Sequence, residues 1–462
     1  MSTALPIALL NSLEGVTGFD RQPFEDVHAS GNQVVSIRLN PGKAVISDLP
    51  YPGHSKISWS RQGYYLDHRP SFTIDPLFHA GAYYVQEASS MFIEEALRQT
   101  CDLSSPLKVL DLCAAPGGKS TLLQSLISAD SLLVSNEVIK TRVTILAENI
   151  SKWGSANVVV TNNDPKDFQR LPEYFDVIVV DAPCSGSGLF RKDPGAVDEW
   201  SLNNVALCSQ RQQRILTDIL PSLKPGGLLL YATCSYSESE DEYICDQLLT
   251  EQKHGLKSTR LAKQNEWGIV ETVSKKHNAY GYRFFPDKLP GEGFFLSAFR
   301  KDAGAESYGQ NQLAGIKNKA LLLTKAEEEV VRPFVSGETN LAFFKWKDET
   351  LAMPSSLLNE LLLLQSVLYI KKAGVTIGKL IRQELLPDHE LALSTILAKN
   401  IPSVELDMEM ALQYLRRGDI RIDSTLKGWA LVKYKHLALG WIKILPGRIN
   451  NYYPKDWRIL NK

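Results

Sequence analysis

The sequence predicts an α/β protein built on a largely parallel sheet. Three observations carry this. From about residue 106, strand-like runs alternate with turns and helical stretches. The runs are almost continuously apolar, as strands covered on both faces are. Two of them end at cysteines, in Asp181-Ala182-Pro183-Cys184 and Thr233-Cys234-Ser235, where an open α/β sheet carries its chemistry.

The elements follow in order. Ala4–Leu10 is a short apolar patch without a basic leader or a cleavage site, so it reads as the start of a helix. Val34–Asn40 alternates like a strand and stops at Pro41-Gly42. Gln86–Gln99 reads as a helix, with Met91, Phe92, Ala96 and Leu97 on its apolar positions. The sheet strands are expected at Leu107–Leu112, Leu132–Ser135, Val158–Thr161, Val177–Asp181 and Leu228–Thr233. Helices are expected at Ser120–Ile127 and Thr141–Trp153, the second stopped by Gly154. Tyr282–Phe285 and Phe294–Arg300, split by Pro286, Pro290, Gly291 and Gly293, read as a closing hairpin.

A chain of 462 residues exceeds one ordinary core. The expected division is an α+β accessory domain at 1–100, a catalytic domain at 101–302, a linker at 303–320 and small domains at 321–395 and 396–462. With 44% hydrophobic and 22% charged residues, the composition is that of a soluble globular protein, and no run is long enough to span a bilayer. Six cysteines without a CxxC pair argue against a disulfide scaffold or a zinc ribbon, so no metal is expected and a reducing cytoplasm fits. The net charge of -1 says nothing about nucleic acid. The last fifty residues do, with 11 Lys/Arg against 3 Asp/Glu interleaved with Trp429, Tyr434, Trp441, Tyr452, Tyr453 and Trp457. That pattern suits phosphate contact with base stacking, or equally a small β-domain with an aromatic core and a basic face.

Cys113-Ala114-Ala115-Pro116-Gly117-Gly118-Lys119 joins a strand to a helix. Its glycines let a ligand approach the backbone, and the helix start favours a negatively charged group. A P-loop would need glycine at position 113, which is Cys113. Glu137 follows the second strand, Asp164 the third and Asp181 the fourth. Acids at successive strand ends face the ligand crevice, where Glu137 suits ribose hydroxyls and Asp164 an adenine amino group. The set favours S-adenosylmethionine. Such acids also cap helices, which is the plain alternative for each alone.

Cys101, Cys208 and Cys245 read as inert core. Cys184 and Cys234 sit in open loops beside the cofactor loop. Two strand-end thiols there suit covalent catalysis on a carbon that is not acidic enough to be methylated directly, with cytosine C5 the best candidate. One cysteine adds to C6 and the other assists release, while Asp181 binds the N3/N4 edge of the base.

These residues resemble the Fmu/Sun/RsmF-type RNA (cytosine-5)-methyltransferases. The likeness runs in order through Ser36–Asn40, Tyr84–Ser90, Asp111–Lys119, Asp181–Gly188, Phe190–Pro194 and Tyr231–Ser235, covering about residues 30 to 300. It implies a Rossmann-like methyltransferase core, with Cys234 as nucleophile and Cys184 assisting product release. It also implies S-adenosylmethionine held by residues 113–119, Glu137, Asp164 and Asp181, with Lys119 on either the cofactor or the substrate side. Gly374–Leu380, Tyr414–Asp419, Gly428-Trp429, Leu439–Trp441 and Asn451–Lys455 are similar to the RsmF-like branch, whose tail is PUA-like and binds RNA. The resemblance therefore implies 16S rRNA or the 30S subunit as partner, an RNA-binding N-terminal domain, a cytoplasmic monomer and no membrane. The alternatives are the same chemistry on tRNA and a ribosome-assembly factor without activity.

Overall fold

A computed structural model describes residues 4–250, 255–304, 321–338, 340–422 and 425–460. Its centre is one large sheet. The strands are β1 (Lys108–Asp111), β2 (Leu132–Asn136), β3 (Val158–Thr161), β4 (Phe175–Asp181), β5 (Leu223–Thr233), β6 (Val270–Val273), β7 (Tyr280–Phe284), β8 (Phe294–Lys301) and β9 (Ile370–Ala373). Their order in space is β6-β7-β8-β5-β4-β1-β2-β3-β9, with Leu256–Ser258 paired to β8 off this path. β1 to β5 pair in parallel, and β6 to β9 join antiparallel at the two ends. The expected closing hairpin is β7 and β8.

The apolar strands are explained by what covers them. Leu110, Val134, Val159, Ile178 and Val180 face one layer, containing Ile215, Leu216 and Ile219 of the helix Leu202–Ile219. Val109, Leu133, Val158, Val160, Val177 and Val179 face the other, containing Leu122, Leu123, Leu146 and Ile150 of the helices Gly118–Leu126 and Lys140–Trp153. With both faces covered, each buried Val or Leu contributes roughly 1.5–3 kcal/mol, and alternation disappears from the sequence. After β1 the chain runs outward to β2 and β3 and then returns to β4 on the other side of β1. This reversal opens a crevice at the carboxyl ends of β1 and β4.

The flanking segments are fused to this core. Val35–Leu39 is the expected strand, but all five residues are buried. It belongs to a four-stranded antiparallel sheet with His54–Lys56, Gly63–Leu66 and Tyr83–Val85. The predicted helix at Gln86–Gln99 begins later, as a short turn at Ser89–Met91 followed by Phe92–Thr100. β9, from the C-terminal third, completes the central sheet against β3. All three parts meet at Gly154, which ends its helix at φ 93°. Asn40 and Lys43 donate to the carbonyls of Trp153 and Lys152 at 3.0 and 2.6 Å, and Thr395 N–H donates to Gly154 O at 2.9 Å. A Cβ on Gly154 would lie 2.4 Å from the Leu393 carbonyl oxygen.

The C-terminal third continues in a five-stranded and then a four-stranded sheet. Its aromatics divide between the two readings left open above. Trp441 and Tyr453 are core, whereas Tyr452 is exposed and Trp429 and Trp457 are half-buried. The linker expected at 303–320 lies almost wholly outside the described residues. Among the described residues no helix is long and apolar enough to cross a membrane.

Candidate active site

The pairing of β4 with β5 assembles the site. Asp181 lies opposite Ala232 in parallel register. Cys184 and Cys234, three and two residues further on, therefore emerge side by side, with their sulfur atoms 2.9 Å apart. The loops are locked by the Gly188 N–H, which donates to the Cys234 carbonyl at 2.9 Å. A Cβ on Gly188 would come within 2.5 Å of the Gly293 carbonyl oxygen and 2.7 Å of that of Cys234, so only glycine fits.

The Cys184 thiol is held well above its ordinary value by its hydrogen bond to Cys234, by burial and by the charges of Cys234 and Glu240, against a lowering contact from the Gly186 N–H. It carries its proton at neutral pH. Lys119, in the first turn of the helix after the glycine loop, puts its Nζ 2.7 Å from Asp181 Oδ2. Burial works against its charge, but Asp181, Asp111 and Cys234 outweigh it and raise the ammonium above its usual value. Lys119 therefore stays charged at neutral pH, on the same cleft as Cys234.

A cleft of about 250 Å³ runs between Tyr84–Glu87 of the N-terminal sheet and the core. Lys119, Asp181, Cys234 and Phe294 line it, together with Lys192. Cys184 does not, although its sulfur touches that of Cys234. Arg38 fixes the outer wall to the glycine loop. Fully buried, it donates from Nε to Gln86 Oε1 at 2.8 Å and from Nη2 to Thr121 Oγ1 at 2.6 Å, and it lies 4.5 Å from the Trp153 ring centroid. Burial pushes its guanidinium down to about 9.

On the other side of the loop, Gly117 has φ 119°, which favours glycine. A Cβ on Gly118 would be 3.3 Å from the Tyr84 ring. Ala114 and Ala115 are buried, and burial pushes the Cys113 thiol up. Asp111 accepts from Ser120 Oγ at 2.7 Å, while its other oxygen is buried without a partner; burial pushes the carboxyl up to about 7. Glu137 accepts the Ile139 N–H at 2.9 Å and lies 3.6 Å from Arg142. Asp164 is less committed to the crevice. It caps the turn Pro165–Arg170 through the Lys166 N–H and pairs with Arg214 at 3.4 Å. An orphaned carboxylate oxygen and a glycine cradle at the switch point fit a cationic ligand that needs close backbone approach.

Sequence reasoning passed over Arg38, Gln212 and Glu240. Arg38 lay in a quoted motif without a role. Glu240 lay in the acidic run Glu238-Ser239-Glu240-Asp241-Glu242, which reads as a solvated surface, yet Glu240 and Asp241 are fully buried. Among the described residues no group of His, Cys, Asp or Glu is arranged to hold a metal ion.

Known proteins resemble the chain over these same parts. Residues 100–300 match the model of the 16S rRNA methyltransferase RsmB/F family, residues 5–88 that of the N-terminal domain of 16S rRNA methyltransferase RsmF, and residues 401–459 that of the methyltransferase RsmF PUA domain. Ribosomal RNA small subunit methyltransferase F of Shewanella woodyi is 31% identical over 401 residues, covering 81% of this chain and 78% of its own. That of Aliivibrio salmonicida is 29% identical over 442 residues, covering 91% and 90%. Among solved structures, a methyltransferase homolog protein from Pyrococcus horikoshii aligns at a TM-score of 0.51 with 27% identity, over 64% of this chain and all of that one.

Proposed function

The chain belongs to the RsmF family of ribosomal RNA small subunit methyltransferases, and on that premise we propose that it methylates C5 of a cytosine in 16S rRNA, using S-adenosylmethionine, through a covalent adduct to Cys234. The observation that carries this reading is the sulfur pair: two thiols in contact, one of them on the cleft beside a lysine ammonium.

The cofactor supplies an electrophilic methyl group on a sulfonium. Residues 113–119, Glu137 and Asp181 would hold it, with Asp111 buried beneath the loop and Asp164 at the outer edge. The protein's own groups do the rest. The Cys234 sulfur, as thiolate, adds to C6 of the base. The S–C6 bond forms as the C5=C6 π pair shifts through C4 toward N3, so C5 becomes nucleophilic and takes the methyl, whose bonding pair stays on the cofactor's sulfur as a neutral thioether. The C5 proton then leaves to a base in the cleft, its electron pair restores C5=C6, and the sulfur is expelled as thiolate. The Cys184 S–H, 2.9 Å away, stabilises that departing thiolate. Asp181 binds the N3/N4 edge. A paired cytosine must first be flipped out for C6 to be reachable. In the same reading the segments 1–100 and 396–462 deliver the RNA, and the protein works in the cytoplasm as a monomer.

The test is to incubate the protein with methyl-labelled S-adenosylmethionine and 30S subunits, then digest the RNA to nucleosides. Label in 5-methylcytidine is expected. Label in another nucleoside, or only in added tRNA, would overturn the proposal.

A further inference from the structure

The cysteines sit on two loops, and one buried carboxylate joins those loops. Glu240 closes the short turn Glu238–Glu240 and is fully buried. Its Oε1 accepts the Ser185 backbone N–H at 2.8 Å and the Gln212 side-chain amide at 3.2 Å. Its Oε2 accepts the hydroxyls of Ser185 at 2.5 Å and of Ser235 at 2.6 Å. Ser185 directly follows Cys184, and Ser235 directly follows Cys234. A carboxylate offers about four acceptor positions, and four donors occupy them here.

The same amide of Gln212 also donates to the Pro183 carbonyl at 3.1 Å, so Cys184 is held from both neighbours. The Tyr231 hydroxyl of β5 donates to the Glu240 carbonyl at 2.6 Å and lies 3.1 Å from Gln212 Oε1, which ties the turn to the sheet. Burying a carboxylate costs several kcal/mol unless it is fully satisfied. A buried charge network is weak evidence for stability alone, since apolar replacements are often neutral or stabilising. A complete polar network instead selects one arrangement of the groups it joins.

We infer that Glu240 is a positioning residue that keeps the Cys184 and Cys234 sulfurs in contact, so that release follows attack without movement of either loop. The inference rests on the roles proposed above for the two cysteines. Glu240 acts through Ser185 and Ser235, and none of its four hydrogen bonds goes to a sulfur.

Glu240→Gln keeps the shape but turns one acceptor oxygen into a donor facing other donors. Displacement of reacting groups by about 1 Å can cost 10²-fold in rate. The expected result is a kcat lowered about 10²-fold, with KM for S-adenosylmethionine and for 30S subunits unchanged within about twofold. The covalent protein–RNA adduct should also build up on an SDS gel although Cys184 is present. Adduct no greater than wild type, a kcat like wild type, or a loss confined to KM would overturn the role. Cys184→Ala is run beside it. If that variant traps no adduct, the assignment of Cys184 falls, and the role of Glu240 with it. If Glu240→Gln fails to fold by thermal unfolding, Ser185→Ala/Ser235→Ala decides by the same readouts, since it removes two of the four donors and leaves the carboxylate in place.

Discussion

The Cys184 sulfur lies 2.9 Å from the Cys234 sulfur, yet of the two only Cys234 opens on the cleft that also holds Lys119 and Asp181. The pair is therefore asymmetric. Cys234 lines the cleft, and the Cys184 thiol is held well above its ordinary value by its hydrogen bond to Cys234 and by burial. Cys234→Ala should lower methyl transfer by on the order of 10⁴-fold or more, as removal of a covalent nucleophile does. RNA binding, measured by filter retention, should be unaffected.

Lys119 pairs with Asp181 at 2.7 Å and lines the same cleft as Cys234. Lys119→Met should cost about 10²-fold in the single-turnover rate. Burial opposes the charge on this lysine, but its raised ammonium value means the cation persists through neutral pH and is lost only above the usual lysine range. A single-turnover rate like that of wild type would remove Lys119 from the reaction.

Arg38 binds the N-terminal sheet to the helix that follows the glycine loop, through Gln86 and Thr121. Arg38→Met would leave Gln86 Oε1 buried without its donor, while Thr121 keeps its bonds to the Gly117 and Gly118 carbonyls. The expected loss in urea unfolding is about 3 kcal/mol, the scale of a hydrogen-bonded charge removed from an interior. Binding of S-adenosylmethionine should weaken as well, since the loop loses its clamp.

His389 lies where the C-terminal segment meets the core. It is buried against Tyr453 and Trp457, and neither ring nitrogen has a partner. Burial, with the nearby Lys152, Lys43 and His79, lowers it to about 3. The unfolded chain then binds a proton that the folded one refuses between about pH 3 and 6.5. Its contribution is fully present above pH 6.5 and declines as pH falls through that window. Between pH 7.5 and 5.5 this is about 1.4 kcal/mol for one histidine. In urea titrations at the two values, His389→Gln should lose less stability on acidification than wild type by that amount. Equal losses would contradict the assignment.

The sheet was legible because strands buried on both faces must be apolar and the turns after them must hold Gly, Pro or Asp. Ends such as Asp181 and Thr233 are therefore written locally. The contact of Cys184 with Cys234 is not, since it depends on the register of β4 against β5. Strand-end acids look alike in sequence, and only the fold separates Glu137, buried at the crevice, from Asp164, turned to cap Pro165–Arg170. β9 was invisible for another reason. It is a four-residue edge strand that reaches its partner β3 across some two hundred residues. Glu240 was hidden by its acidic neighbours.

The most direct measurement is an SDS gel of Cys184→Ala after incubation with S-adenosylmethionine and 30S subunits, with Cys184→Ala/Cys234→Ala beside it. The account predicts a slowly migrating protein–RNA band in the single variant, absent from the double variant and sensitive to ribonuclease. No band in the single variant, or one that persists without Cys234, would contradict it.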